Sequence, residues 1–126
     1  MKRNTVTRFM NLFQGYQQAH GQYRVQKREA DGKMSGRAIT VSEPAKEDHF
    51  QSHLNGGEYI LGIIMLKDDN SCNFGVIDID IRGEVKLKET LDSLEEKIRD
   101  TPLVMCRSKS GGAHLYLFCE PAIAAV

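Results

Sequence analysis

Apolar positions in this chain switch several times between a helical and an extended period. Val6, Phe9, Met10 and Phe13 sit at helical spacing and predict a short helix over residues 5–19, weakened near its end by Gly15. Residues 21–27 alternate as a strand. Residues 30–36 are polar with two glycines and read as a turn, and residues 37–41 as the returning strand. Ser42-Glu43-Pro44 is a helix-start signal, with Ser42 as cap and Pro44 in the first turn. That helix is expected to run to Asn55 and to stop at Gly56-Gly57. Residues 59–66 form an apolar strand, 67–73 a polar turn and 74–81 a second strand. Their tight spacing predicts antiparallel neighbours.

The clearest helix spans residues 85–99, where Leu87, Leu91, Leu94 and Ile98 form one apolar stripe. Lys88 meets Asp92 one turn on, and Glu95 meets Arg99. Pro102 follows the helix end. A strand over 103–107, a loop over 108–112 and a strand over 113–119 come next, with Pro121 as terminator. Residues 122–126 read as the beginning of a helix.

At 126 residues the chain suits one domain with one core. Charged residues make up 27%, too few for a disordered chain with this apolar content. Seventeen basic residues balance seventeen acidic ones, so a protein that is basic throughout is excluded. The charge is unevenly placed. Residues 1–41 hold eight basic side chains against Glu29 and Asp31, a net of +6 that leaves −6 for the remainder. Such asymmetry fits an arm facing nucleic acid, but charge alone favours a solvated face. Cys72, Cys106 and Cys119 are odd in number and form no CxxC pair, so they read as reduced, buried thiols of a cytoplasmic protein. The polar, basic first ten residues are not a signal peptide, and the run 59–66 is too short to span a bilayer.

Two segments carry candidate chemistry. In FGVIDIDI, period two puts Val76, Asp78 and Asp80 on one face and Ile77, Ile79 and Ile81 on the other, toward the core. The aspartates then project together, about 7 Å apart. Two ionised carboxylates repel, and a divalent cation removes that penalty; oxygen ligands suit Mg²⁺ or Mn²⁺. The plain alternative is a polar sheet face meeting water. In RSKSGGAHLYLF, a strand leads into Ser108-Lys109-Ser110-Gly111-Gly112, and the next strand carries His114. Small residues let backbone N–H groups approach an anion, Ser108 and Ser110 add hydroxyl donors, and Lys109 adds charge. His114 is placed to donate to a phosphate oxygen. Ser-Gly-Gly is also an ordinary hairpin turn.

Topology joins the two segments. Strand, helix, strand, hairpin, strand is how a ferredoxin-like or RRM-like unit begins. The expected fold is therefore α+β: an RRM-like βαββ half-unit on a mostly antiparallel sheet, residues 58–126, preceded by a small basic α/β segment, residues 1–57. In that fold the first and third strands are neighbours. Asp78 and Asp80 would lie beside His114 on an open face, and the right-handed crossover would put the 85–99 helix on the other, under Ile77 and Ile79. Metal carboxylates beside a phosphate-binding histidine fit nucleotidyl transfer.

At these residues the sequence resembles the archaeo-eukaryotic primase superfamily, in its TOTE conflict system branch. FGVIDID and SKSGGAHLYLF carry the likeness, and HLNGGEYILGIIML and LFQGYQQAHGQY extend it over most of the chain. The resemblance implies primase–polymerase activity on nucleoside triphosphates with a DNA or RNA template. It implies a mobile-element or phage-defence setting, with fused or associated helicase or nuclease partners. It assigns metal binding to Asp78 and Asp80 and contact with the incoming phosphates to Ser108 and His114. The family's third motif is another metal carboxylate on a later strand. Glu120 falls too early to match it, so the chain is expected to be an N-terminal portion of the domain or a form departing from the family.

Two further readings stay open from the residues alone: a non-catalytic nucleotide- or nucleic-acid-binding remnant, and a metal-dependent nuclease using the same aspartates. His49 and His53, four apart on a predicted helix, have zinc-ligand spacing without an evident third ligand. His20 reads as a surface residue. Phe9, Phe13, Tyr16 and Tyr23 interleave with arginines and read as a small core, with base stacking as the alternative.

Overall fold

The computed structural model describes residues 3–30, 34–81, 83–108 and 111–125. In chain order they form α1 (Arg3–Leu12), β1 (His20–Arg28), β2 (Met34–Val41), α2 (Glu47–Leu54), β3 (Ile60–Gly62), β4 (Ser71–Ile79), α3 (Glu84–Ile98), β5 (Val104–Arg107) and β6 (Ala113–Ala124). The strands make two three-stranded sheets, ordered β2-β1-β3 and β4-β6-β5. The fold is α+β, as expected. Contacts divide the chain into two compact units, Met1–Phe74 with Cys119–Val126, and Gly75–Phe118.

The first unit is built on an aromatic cluster. The apolar period of α1 places Phe9 and Phe13 with ring centroids 4.5 Å apart. Phe9 meets Phe50 of α2 at 6.2 Å and Phe13 meets Phe74 at 5.1 Å. Val6, Phe50 and Phe74 are buried. Edge and tilted ring contacts of this kind add to the area they bury. Gly15 lies where a Cβ would overlap the Ile64 carbonyl, and the next amide, Tyr16 N–H, donates to that carbonyl at 2.8 Å.

That bond accounts for one departure from the expected topology. The apolar run 59–66 does not pair with the strand after it. Only Ile60–Gly62 is extended, and it pairs antiparallel with β1, Gln22 facing Leu61. Beyond it, the backbone of Ile64 is taken by Tyr16, and the polar turn before β4 closes on itself through Lys67 N–H to Ser71 O. Asp69 caps this turn by accepting the Ser71 amide and hydroxyl at 3.0 and 2.6 Å, and the hydroxyl bond holds its carboxyl below the usual range.

His20 is the second departure: it is 1% exposed, not a surface residue. Its Nδ1–H donates to the Glu43 carbonyl at 2.8 Å, and Nε2 accepts from the Gln22 side chain at 3.3 Å. Both polar ring atoms are thus satisfied, which burial requires. The ring lies 4.6 Å from that of His49. By holding Glu43, His20 keeps 42–44 outside the helix, so α2 begins at Glu47 with Lys46 as its cap and not at Ser42. His49 at the third helical position accepts the Lys46 amide at 3.0 Å.

The end of β6 is the third. Pro121 does not terminate the strand, and 122–124 are extended, not helical. β5 reaches only to the pair Val104–Tyr116, so beyond it that side of β6 has no ladder that a missing N–H would break. On the other side Asn73 Nδ2 donates to Cys119 O at 3.4 Å and Ala125 N–H to Asn70 O at 2.8 Å.

In the second unit α3 matches its predicted stripe, with Leu87, Leu91, Leu94 and Ile98 half-buried. Lys88 and Asp92 pair at 2.7 Å. The isoleucine face of β4 is less covered than expected. Ile79 is half-buried, but Ile77 is 54% exposed. The buried apolar residues here are Ala113 and Leu115 of β6. Among the described residues no helix is long and apolar enough to cross a membrane.

A pH dependence follows from α2. His53 Nδ1 accepts the Leu61 amide at 3.1 Å, and burial pushes the ring's pKa below its usual 6.5. The folded state therefore favours the neutral ring. Its contribution is full above the unfolded value and is lost as pH falls below it. The melting temperature is expected to drop between about pH 7.5 and about pH 5.5. In His53→Gln, whose amide oxygen still accepts from Leu61, thermal melts over the same range should show a shallower dependence.

Candidate active site

The site is set by strand alternation and register. β4 and β6 run antiparallel: Asn70 bonds Ala125, Asn73 bonds Cys119, and Ile79 lies against Gly112. β5 and β6 pair antiparallel with Cys106 opposite His114 and Val104 opposite Tyr116. Period two then collects Asp78, His114, Tyr116 and Cys106 on one face, and Ala113, Leu115 and Met105 on the other.

One side-chain contact joins the two strands on this face. His114 Nε2 lies 3.4 Å from Asp78 Oδ1, with the carboxylate side chain 71% exposed and the imidazole 33%. On the other side of the ring, His114 Nδ1 and the Tyr116 hydroxyl are 3.1 Å apart. Tyr116 stands edge-on to His114 at 5.8 Å, and Phe118 stacks on Tyr116 at 5.8 Å with planes 16° apart. Burial, and then the neighbouring Cys106 and Asp78, push the Tyr116 phenol above its usual pKa. It therefore keeps its proton across the physiological range. The face is an open surface with a hard anionic oxygen, an imidazole and an aromatic ladder side by side.

Asp80 is exposed and sits directly after the last residue of β4. Its two-residue offset from Asp78 continues the alternation that points Asp78 toward His114. Both carboxylates offer hard oxygens open to solvent, which suits a Mg²⁺- or Mn²⁺-sized cation that keeps several waters. Among the described residues no group of three His, Cys, Asp or Glu side chains is clustered closely enough to cage a metal without such waters. Ser108 begins the hairpin loop: its N–H donates to Gly112 O at 3.0 Å, and its carbonyl accepts from Gly111 N–H at 3.1 Å. Lys109 and Ser110 lie outside the described residues.

The histidine pair with zinc-ligand spacing has a different task. His49 and His53 each spend the Nδ1 lone pair on a backbone N–H, so the neutral rings carry their proton on Nε2. Neither has a lone pair left for a metal. All three cysteines are free, and Cys106 is exposed instead of buried because it stands on the open face.

Tyr116 is the site residue that the motif reading passed over. Its signal was present: the alternation that placed His114 on the carboxylate face continues through Tyr116 to Phe118. No motif pointed to Cys106, whose place opposite His114 depends on the β5–β6 register.

A family model described as TOTE conflict system, Archaeo-Eukaryotic Primase domain matches residues 4–126. No curated protein matches the chain.

Gly112 controls the register. A Cβ there would overlap the Ile79 carbonyl oxygen, whereas one at Gly75 would meet open space. Gly112→Ala is expected to destabilise the protein by about 1–3 kcal/mol, as overpacking against backbone does. Gly75→Ala should stay within about 0.5 kcal/mol of the parent. Paired thermal or denaturant melts of the two variants check this.

Proposed function

The chain belongs to the archaeo-eukaryotic primase family of TOTE conflict systems, and from that membership we propose that it is a metal-dependent nucleotidyltransferase of the primase–polymerase kind. The observation that carries the reading is the contact between Asp78 and His114, which puts a candidate metal ligand and a candidate phosphate donor 3.4 Å apart on an open sheet face. The reaction is attack of a primer or initiating nucleotide's 3′-hydroxyl on the α-phosphate of a nucleoside triphosphate, with release of pyrophosphate.

In this reading Asp78 and Asp80 hold Mg²⁺ or Mn²⁺. The bound cation supplies charge neutralisation on the triphosphate. His114 presents its Nε2–H to a phosphate oxygen beside Asp78. Ser108 opens the loop that holds the phosphates, with Lys109 and Ser110 following it. In the structure the same nitrogen faces the Asp78 carboxylate at 3.4 Å. The first test is equilibrium binding of a nucleoside triphosphate with and without Mn²⁺. Asp78→Ala should lose the cation-dependent part while keeping the parent's melting temperature. Equal binding by variant and parent would sink the assignment. Primer extension with Mn²⁺ distinguishes synthesis from binding alone, and loss of labelled DNA in the absence of triphosphate would indicate a nuclease.

The β1–β2 hairpin is proposed as the template contact. Its register sets Arg24 directly opposite Arg37, a like-charge pair that is unfavourable without a counter-ion. Arg24 is relieved by Glu58 and lies 6.0 Å from the centre of the Tyr59 ring. Arg28 and Arg37 are exposed on the same two strands. The double substitution Arg28→Glu with Arg37→Glu should weaken binding of a single-stranded oligonucleotide. It should also reduce the slope of log affinity against log salt by about 1 to 2. Triphosphate binding should stay at the parent level; fluorescence anisotropy across a salt series reads both.

A further inference from the structure

The imidazole of His114 has different neighbours on its two nitrogens, and together they fix where its proton sits. Nε2 faces Asp78 Oδ1 at 3.4 Å. An ionised carboxylate only accepts hydrogen bonds, so the nitrogen facing it carries the hydrogen. In the neutral ring Nδ1 is then the acceptor. The atom 3.1 Å from it is the Tyr116 hydroxyl oxygen, which has a hydrogen to give.

We infer that Tyr116 is a positioning residue: its O–H donates to His114 Nδ1 and locks the ring in the Nε2–H tautomer, aimed at the carboxylate edge of the site. Tyr116 O–H then meets Nδ1, and the Nε2–H edge faces Asp78 at 3.4 Å. The ring's edge-on stance against Tyr116, 89° between planes, fixes its rotation as well as its proton. The raised phenol pKa supports the direction of the first bond, because a neutral phenol retains the hydrogen it donates.

This inference rests on the proposed function for its consequence and on the geometry of the ring's two nitrogens for its content. When a triphosphate binds, a donor already on Nε2 meets the phosphate oxygen without a change of tautomer. A ring free to hold its proton on Nδ1 would present a lone pair to an anion instead. The effect on binding is expected to be modest, about 2- to 10-fold, as for loss of one net hydrogen bond.

The test uses the full chain without nucleotide. Long-range ¹H–¹⁵N correlation spectra of the histidine side chains, taken where the rings are neutral, report the tautomer directly. His114 should show the Nε2–H pattern in the parent and a mixture with Nδ1–H in Tyr116→Phe. That variant removes one hydroxyl and keeps the ring, and an unchanged melting temperature would show that it folds. A parent spectrum of the Nδ1–H form overturns the inference and needs no variant. So does a Tyr116→Phe spectrum identical to that of the parent. If the tautomer shifts as expected but triphosphate affinity does not move, the positioning role stands and the assignment of His114 to the phosphates fails.

Discussion

The closest constraint on the candidate site is a backbone contact, not a side-chain one. Gly112 lies so near the Ile79 carbonyl that no other residue fits without moving a strand. That approach sets how far β6 is advanced along β4, and so which residue of β6 stands beside Asp78. Strand parity makes the setting discrete. A slip of one residue would send His114, Tyr116 and Phe118 to the opposite face and replace them with Ala113, Leu115 and Leu117. The loop on Ser108 and the pairing of Cys106 with His114 are fixed by the same register from the other edge.

Much of that face was legible in the sequence because it depends on local alternation. Asp78 is two residues from Val76 and two from Asp80, and His114 is two from Tyr116. The order of strands around α3 follows from short connections and the handedness of the crossover. The rest depended on partners that a linear pattern does not name. Ile77 looks like a core residue by period, yet it is exposed, because alternation names a face and not what covers it. The run 59–66 looks like a strand throughout, yet pairing takes only three of its residues, and Tyr16 claims the backbone beyond. His20 gives no apolar signal at all. Its burial follows from two hydrogen bonds, one to a residue 23 positions away.

The first unit shows how a small core admits polar rings. His20 and His49 lie against each other, and His53 packs 6.2 Å from Phe9. Each imidazole repays its desolvation by completing a backbone bond that no strand or helix would make: to the Glu43 carbonyl, from the Lys46 amide, from the Leu61 amide. They act as connectors between the ends of elements. The aromatic residues supply area, and the histidines supply the polar closure that a loop-rich unit needs.

That use of imidazole bears on cation selectivity. The chain has four histidines. In three of them the ring lone pair is spent on a hydrogen bond within the first unit. A borderline ion such as zinc, which favours nitrogen ligands, would have to break one of these bonds to be held there.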